Sequence, residues 1–118
     1  MKLPNSNLAH VDRDKITEYL LSEAHPDGRH KAVFFKRFGY KASRWERLAD
    51  DLKAHSRRHP VVKAMASQHG VRYTIEGVVE TPDGRHPRIR TVWFIQKNDA
   101  RPRFITAYPF RSRYDQGT

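Results

Sequence analysis

The chain has 118 residues, a length that fits one domain with one hydrophobic core, so residues 1–118 are expected to fold as a single domain. It contains no Cys, which excludes a disulfide framework and a thiolate metal site. Lys and Arg number 23 against 13 Asp and Glu, and the formal charge of +10 favours a polyanionic partner: nucleic acid, an anionic membrane surface or an acidic protein.

No apolar run at the start of the chain is long enough for a signal peptide. No segment approaches the roughly 18 apolar residues of a membrane span. We therefore expect a cytoplasmic protein that has no membrane partner.

The first part of the chain predicts an extended segment and one short amphipathic helix. Residues 1–11 are polar, with one Pro and two Asn, and are predicted to be extended. Asp12 is a good N-cap for a helix over residues 13–22. Three apolar side chains of that helix share one face, so the helix is expected to pack on a core. They are Ile16, Tyr19 and Leu20.

The stretch from His25 to Tyr40 predicts a turn that begins a second helix. Residues 26–28 are turn formers, apolar residues then recur at helical spacing as far as Phe38, and Gly39 supplies a left-handed stop. Backbone N–H groups and basic side chains meet at the mouth of this helix, an arrangement that suits a phosphate. A solvated basic first turn is the alternative interpretation. The basic side chains are Arg29, His30 and Lys31.

A third helix is predicted from the capping box of Ser43 and Glu46 to about Arg58. It ends there because Pro60 disfavours helical geometry in the residue before it. The apolar positions of this helix follow the i, i+3, i+4, i+7 pattern, and the first two are predicted to face the core. These positions are Trp45, Leu48, Ala49 and Leu52.

Residues 60–70 are predicted to be a connection with at most one helical turn, over residues 61–66. After this connection the apolar period changes from helical to alternating. The alternation predicts a strand over residues 71–81 with a bulge at Gly77.

Two further strands are predicted after a turn at residues 82–84. The strand over residues 88–95 is partly apolar on both faces, so it belongs in the middle of a sheet. The last strand spans residues 103–108 and ends at Pro109, and the final residues, RSRYDQGT, resemble a tail.

Together these elements predict an α+β fold. About three N-terminal helices, over residues 12–58, pack on one face of a C-terminal antiparallel sheet of three to four strands, over residues 71–109. The other face of the sheet is free to act as a working surface.

Several catalytic motifs are absent from the sequence: a Gly-rich phosphate loop before Lys and Ser or Thr, a GxSxG elbow and an HExxH pair. His55 and His59 stand four apart and could share a metal ion, but no third ligand lies in obvious reach. Exposed histidines at a favourable helix end are the alternative. We expect neither a metal nor a cofactor.

RNA cleavage needs no cofactor. RNA carries its own nucleophile in the 2′-OH, so the reaction requires a base, an acid and cations that hold the phosphate. The candidates on the strands have structural alternatives: an exposed charge pair for the arginines, β-propensity for the threonines and a half-buried strand aromatic for the tyrosine. The candidates are His25, Arg29, His30, Lys31, His86, Arg88, Arg90, Thr91, Thr106 and Tyr108.

Five segments carry a family resemblance: MKLPN, HPDGRHKAVFFKRFGY, the Trp45 helix, TPDGRHPRIRTVWFI and PRFITAYP. From Met1 to Pro109 they resemble a bacterial family known as a domain of unknown function, number 6883 in that series. Members of the family occur as small free-standing proteins and as modules of phage or toxin-related polypeptides. The order of helices and then sheet is similar to the metal-independent ribonuclease superfamily of barnase, EndoU, the colicin tRNases and RelE.

The resemblance implies particular site positions in this chain. It also leaves the catalytic base open, because the His and Glu pair typical of barnase has no clear counterpart here. The distinctive positions of the family fall on His25, Gly28, Arg29, Lys31, Arg90, Thr91, Trp93, Thr106, Ala107 and Tyr108.

The resulting hypothesis is a metal-independent ribonuclease of the toxin type. Its expected partners are RNA and a small acidic antitoxin or immunity protein. The six predicted catalytic residues are His25 as acid or base, Arg29, Lys31 and Arg90 as phosphate clamps, and Thr106 and Tyr108 as donors or substrate positioners.

Two alternatives stay open. One is a non-catalytic nucleic-acid-binding module in which Trp93, Phe104 and Tyr108 stack on bases. The other is an interaction protein for an acidic partner. The further residues predicted to contact RNA are His30, His86, Arg88, Thr91, Trp93 and Arg103.

Overall fold

The computed structural model describes residues 1–110, which form three helices followed by a four-stranded antiparallel sheet. Helix α1 begins with an α-helical turn over Arg13–Lys15 and continues as a π-helical segment over Ile16–Leu20. Helices α2 and α3 span Arg29–Arg37 and Trp45–Arg58. The strands are β1 (Val61–Ser67), β2 (Gly70–Val78), β3 (Arg88–Gln96) and β4 (Arg103–Pro109). The α+β prediction is confirmed, and the predicted tail lies outside the described residues.

The sheet is a meander in the order β1-β2-β3-β4, and β3 is an inner strand as its two apolar faces predicted. Helix α3 contacts β2 and β3, whereas α1 and α2 contact β4. Alternation along the strands directs one set of side chains to the helices. The largest fully buried apolar side chains come from both layers: Trp93, Phe35, Ile16, Leu20, Leu21, Leu48, Leu52, Ile75 and Ile89.

The N-terminal segment is more ordered than its polar composition suggested, so the prediction of a simple extended stretch is wrong. It contains a 3₁₀ turn at Ser6–Leu8. The carbonyl of Met1 accepts a 2.7 Å hydrogen bond from the Val61 amide, and His10 pairs with Arg103 at the edge of β4. Two apolar residues inside the polar stretch, Leu3 and Val11, are buried and tie it to the core.

The helix starts differ from the predicted caps. Asp12 does occupy the position before α1, but its carboxylate binds the His10 ring at 2.7 Å instead of a helix N–H. Ser43 lies in a 3₁₀ turn over Ala42–Arg44, so the predicted capping box does not form and Arg44 stands at the N-cap of α3. Leu48 faces the core as predicted, and Trp45 packs against it while half-buried.

Strand β1 occupies the segment that was predicted to be a connection. Its residues after Val61 are all exposed, so the apolar alternation that reveals a half-buried strand is missing. The strand pairs with β2 through a two-residue turn at Gln68 and His69. The prediction of a loop or a helical turn here is wrong because an edge strand exposed on both faces carries no periodic signal.

Gly77 does not form the predicted bulge, since it pairs in regular register with Ile89. A Cβ atom at this position would lie 2.3 Å from Cγ of His59. The glycine is therefore required by the close approach of a histidine ring to the strand. The register shifts lie elsewhere, between Val61 and Lys63 in β1 and between Val92 and Trp93 where β3 meets β4.

A buried hydrogen-bond chain joins α3 to the two middle strands. Nε1–H of Trp93 donates to Oγ1 of Thr91 at 3.0 Å. Because the Gly77 carbonyl can only accept, Nε2 of His55 donates to it at 3.1 Å, and Nδ1 of His55 accepts from the Thr91 hydroxyl at 3.0 Å. His55 is 1% exposed, so its interpretation as an exposed helix-end histidine is wrong.

The buried imidazole predicts a pH dependence of stability. Burial, its largest cause, lowers the pKa of His55 from 6.5 to about 4. The unfolded chain takes up this proton near pH 6.5 and the folded protein only near pH 4, so stability is full above this window and falls as the pH drops through it. The expected loss is on the order of 3 kcal/mol, measured by urea unfolding at a series of pH values. In His55→Gln this part of the slope should disappear, and an unchanged slope would contradict the assignment.

The Thr91 hydroxyl provides a second test. Thr91→Val keeps the shape of the side chain but leaves the Trp93 indole N–H and the His55 ring without their buried partner. We expect a loss of roughly 1–3 kcal/mol for each orphaned group in urea unfolding. The matched control is Thr74→Val, a half-buried strand residue opposite Val92. Equal stabilities of the two variants would show that the chain of hydrogen bonds contributes little.

Candidate functional site

Tyr19 is the centre of the candidate site. Its hydroxyl lies 3.0 Å from Oγ1 of Thr106, which links α1 to β4. Its ring meets the His25 ring edge-on, with centroids 5.0 Å apart. The ammonium groups of Lys15 and Lys31 each lie 5.5 Å from the centre of the same ring, within cation–π range. One half-buried tyrosine thus connects three of the predicted catalytic residues, His25, Lys31 and Thr106.

His25 is held by the turn that precedes α2. Its Nδ1 accepts hydrogen bonds from the backbone N–H groups of Asp27 at 3.0 Å and Gly28 at 3.1 Å. With Nδ1 used as an acceptor, the proton of the neutral ring lies on Nε2. The ring therefore stabilises the turn with one nitrogen and can donate a hydrogen bond to a ligand with the other.

Gly28 completes this turn because a side chain cannot fit there. A Cβ atom at Gly28 would lie 2.2 Å from the carbonyl oxygen of Tyr19. The close approach of the two backbones brings the His25 turn against α1. The same contact explains, in physical terms, why the sequence has a glycine directly before the basic first turn of α2.

The residues around Tyr19 line an open cleft of about 780 Å³ between α1, the His25 turn and β4. Its lining mixes both signs of charge, with four carboxylates beside two basic side chains and the His25 ring. Carboxylates and an imidazole in one cleft can serve proton transfer, whereas a site that only bound phosphate would be expected to carry mainly cations. The charged residues of the lining are Asp12, Asp14, Glu18, Asp27, Arg13 and Lys15.

Arg90 and Tyr108 form a separate group farther along the sheet. They are cross-strand partners, and the Arg90 guanidinium lies 5.8 Å from the Tyr108 ring and 4.8 Å from that of Phe110. Arg90 also forms a salt bridge through Nε with Glu76. Its charge is therefore partly neutralised, and the described contacts do not join this pair to the Tyr19 cleft.

Two residues predicted to contact RNA are instead part of the core. Thr91 and Trp93 are completely buried, so the prediction that they touch RNA directly is wrong. Phe104 is 3% exposed and packs edge-on against Trp93, with centroids 5.4 Å apart, which removes it as a base-stacking residue. The alternating pattern of β3 did not reveal which of its two apolar faces the helices cover.

The other predicted RNA contacts lie on the surface without converging on the cleft. Nδ1 of His86 accepts from the Thr81 amide at 3.1 Å and so closes the loop between β2 and β3. In residues 1–110, no side-chain contact connects the remaining predicted cations to Tyr19. Those exposed residues are Arg29, His30, Arg88 and Arg103.

Sequence reasoning missed two residues of the cleft. The sequence pattern places Tyr19 only in a core-facing stripe and predicts no role for Glu18, although Glu18 lines the cleft beside Tyr19. The available signal was weak, because a polar residue next to an apolar stripe is typical of any amphipathic helix. Tyr19 gains its significance from its contact with Thr106 in β4, 87 residues away in sequence, and Glu18 from its place in the lining of the same cleft.

Among residues 1–110, no group of three or more His, Asp or Glu side chains is arranged to hold a metal ion. No helix in this part of the chain has both the length and the apolar character needed to cross a membrane.

Comparisons with known proteins identify a family and a structural relative. No curated protein sequence matches the chain. A chain of a contact-dependent growth inhibition toxin–immunity protein complex from Klebsiella pneumoniae 342 has a similar structure, with a TM-score of 0.69 and 21% sequence identity. The similarity covers 86% of this chain and 93% of that one, and it concerns the fold. The family model described as Domain of unknown function (DUF6883) matches residues 2–111, so the chain belongs to the DUF6883 family.

Proposed function

We propose that this protein is a metal-independent endoribonuclease of the toxin type, with its active site in the Tyr19 cleft. The observation that carries the proposal is the junction at Tyr19, where His25 and Lys31 from the α2 region and Thr106 from β4 converge on one ring. The sequence predicts each of these three residues to be catalytic. Their distance in the chain makes an accidental cluster a weaker explanation than a common site.

In the proposed reaction the Glu18 carboxylate accepts the proton of the RNA 2′-OH, and the 2′-oxygen attacks the phosphorus. The bond to the 5′-oxygen breaks, and that oxygen leaves with a proton from an ammonium group beside Tyr19, either Lys15 or Lys31. Nε2–H of His25 and the Thr106 hydroxyl donate to the phosphate oxygens as negative charge builds. A donor role fits His25 better than that of a base, because its Nδ1 already accepts two backbone hydrogen bonds and leaves Nε2–H to face a ligand.

The structural relative supports the toxin part of the proposal. That chain belongs to a complex of a contact-dependent growth inhibition toxin and an immunity protein, and the likeness extends over most of both chains. We further propose that an acidic antitoxin or immunity protein neutralises this chain and that RNA in the cytoplasm is its target. The charge of +10 fits both an acidic inhibitor and a polyanionic substrate.

A non-catalytic RNA-binding module is less well supported. Such a module would be expected to offer exposed aromatic rings on which bases stack. Here Trp93 and Phe104 are buried, and four carboxylates line the cleft. Carboxylates weaken the binding of a phosphate, but an enzyme that uses one of them as its general base can tolerate that loss of affinity.

Cleavage in the presence of EDTA tests the proposal. The purified protein should cut a mixed-sequence RNA into fragments with 2′,3′-cyclic phosphate or 3′-phosphate ends, since the 2′-oxygen is the nucleophile. Glu18→Gln should lower the rate by 10²–10⁴-fold, the range expected for the loss of a general base. The matched control is Glu46→Gln, which changes an exposed carboxylate in the first turn of α3. Equal loss in both variants, or no cleavage by the wild type, would refute the assignment.

The Tyr19 hydroxyl predicts a second, smaller effect. Tyr19→Phe removes the hydrogen bond to Thr106 but keeps the ring that contacts His25. We expect the cleavage rate to fall about tenfold through lost positioning, while the melting temperature changes by only a few degrees because the net value of one such hydrogen bond is about 1 kcal/mol. The same fall in Thr106→Val, without a further fall in the double variant, would show that the two residues act as a pair. Full activity in both single variants would exclude this bond from the mechanism.

A further inference from the structure

A second pocket, which shares no lining residue with the Tyr19 cleft, has a volume of about 340 Å³. Three of its six lining residues carry a positive charge and none is acidic, in contrast to the mixed lining of the cleft. We propose that this pocket is a phosphate-binding site distinct from the cleavage site. It is lined by Gly39, Tyr40, Lys41, Arg44, Arg47 and Pro82.

The wall of the pocket is rigid before any ligand arrives. Gly39 has a φ of +102°, and a Cβ atom there would meet the Pro82 ring at 3.1 Å, so the two segments are in close contact. The Asp83 amide donates to the carbonyl of Phe38 at 3.3 Å and fastens the same corner. Tyr40 is 3% exposed. A preformed wall lowers the entropic cost of binding a small ligand.

The Asp51 carboxylate orients Tyr40, in the wall of the pocket, and Arg47, one of its three basic residues. Oδ2 of Asp51 accepts from the Tyr40 hydroxyl at 2.8 Å and from Nε of Arg47 at 2.7 Å. Fixing Nε leaves the two terminal nitrogens of the guanidinium directed away from this bond. Within residues 1–110 these nitrogens have no acceptor, and the same is true of the side chains of Lys41 and Arg44. The pocket therefore offers free donors from Lys41, Arg44 and the terminal nitrogens of Arg47, although Asp51 partly neutralises the charge of Arg47.

In the empty pocket the positive charges of Lys41 and Arg44 have no salt-bridge partner among residues 1–110. Lys41 and Arg44 repel each other, and Arg44 stands at the N-cap of α3, where the helix dipole disfavours a cation, whereas Asp51 balances the charge of Arg47. An anion offsets both costs. A phosphate group suits the site because its oxygens accept several charge-assisted hydrogen bonds, and the planar guanidinium can donate two at once.

The phosphate could belong to an RNA strand or to a free phosphate ester, which share the recognised group. The RNA source rests on the proposed function: the carboxylates of the cleavage cleft weaken its attraction for a polyanion, and a separate cationic pocket would supply the missing affinity. The free ester does not depend on that function. The wall and the charges of the pocket favour a phosphate whether or not the chain cleaves RNA.

The first experiment measures thermal stabilisation by inorganic phosphate, with sodium chloride at equal ionic strength as the reference. The wild-type protein should be stabilised saturably. In the double variant Lys41→Gln/Arg44→Gln the apparent Kd should rise at least tenfold. The matched control is Lys63→Gln/Arg101→Gln, which removes the same charges from two exposed residues outside the pocket and should bind like the wild type. Equal weakening in both double variants, or no saturable stabilisation of the wild type, would overturn the proposal.

The second experiment identifies the source of the phosphate. Short 2′-O-methyl oligonucleotides, which cannot be cleaved through the 2′-oxygen, are titrated with and without a 5′-phosphate. Weaker binding of both oligonucleotides by the pocket variant indicates backbone phosphates, and weaker binding of only the phosphorylated one indicates a terminal phosphate. If neither binding changes while inorganic phosphate still distinguishes the variants, a free ester is the ligand.

The two proposals can fail separately. The phosphate titration needs no cleavage, so an inactive wild type would leave it valid. Conversely, a negative titration would leave the EDTA-resistant activity and its dependence on Glu18 untouched.

Discussion

The buried hydrogen-bond chain from Trp93 through Thr91 to His55 is the constraint on which the sheet and the main helix depend together. It runs from Trp93 and Thr91 in β3 to His55 in α3, and it ends on the backbone carbonyl of Gly77 in β2. In a core with little water, a polar group of this chain that lost its hydrogen-bond partner would cost free energy. The three side chains therefore fix the rotation of α3 about its axis and its distance from the sheet. An apolar core alone would tolerate more than one such position.

The same network reaches the candidate site through packing. Trp93 holds Phe104 edge-on, and the register of β4 shifts at this point, so that Ile105 is the additional residue between Phe104 and Thr106. Both Ile105 and Thr106 line the cleft beside Tyr19. The packing of the core thereby fixes the position of Thr106 and its hydrogen bond with Tyr19, although neither residue belongs to the buried hydrogen-bond chain.

The sequence was informative wherever one face of an element is buried and the other is wet. The three helices and strands β2 and β4 have that character, and their periods predicted their type. Strand β3 differs, since its two partly apolar faces predicted an inner strand. Strand β1 lacks that character because it lies at the edge and is exposed on both sides. The N-terminal segment lacks it because only Leu3 and Val11 anchor a stretch that is otherwise polar. Apolar periodicity reports the burial of one face of an element. It therefore does not reveal a strand that is held mainly by backbone pairing, or a polar segment that is anchored by two buried residues.

The site was only partly predictable for a related reason. Residue type selected His25, Lys31 and Thr106, since few side chains can move a proton or hold a phosphate. It also selected Thr91 and Trp93, whose polar atoms form hydrogen bonds inside the core. It did not select Tyr19, which contacts Thr106 in β4, or Glu18, which lines the same cleft. Whether a polar atom on a strand faces a helix or the solvent is decided by tertiary packing, and a single sequence does not contain that information locally.

The contact between Gly77 and the ring of His59 has a consequence for how the family can evolve. A side chain at position 77 would collide with that ring, and the carbonyl of the same glycine accepts the hydrogen bond from His55. A mutation that enlarges position 77 can be tolerated only after position 59 has become small, and even then the strand must keep its distance from His55. Among diverged members of the family, these two positions should therefore change together or not at all, which leaves a covariation signal between the end of a helix and the middle of a strand.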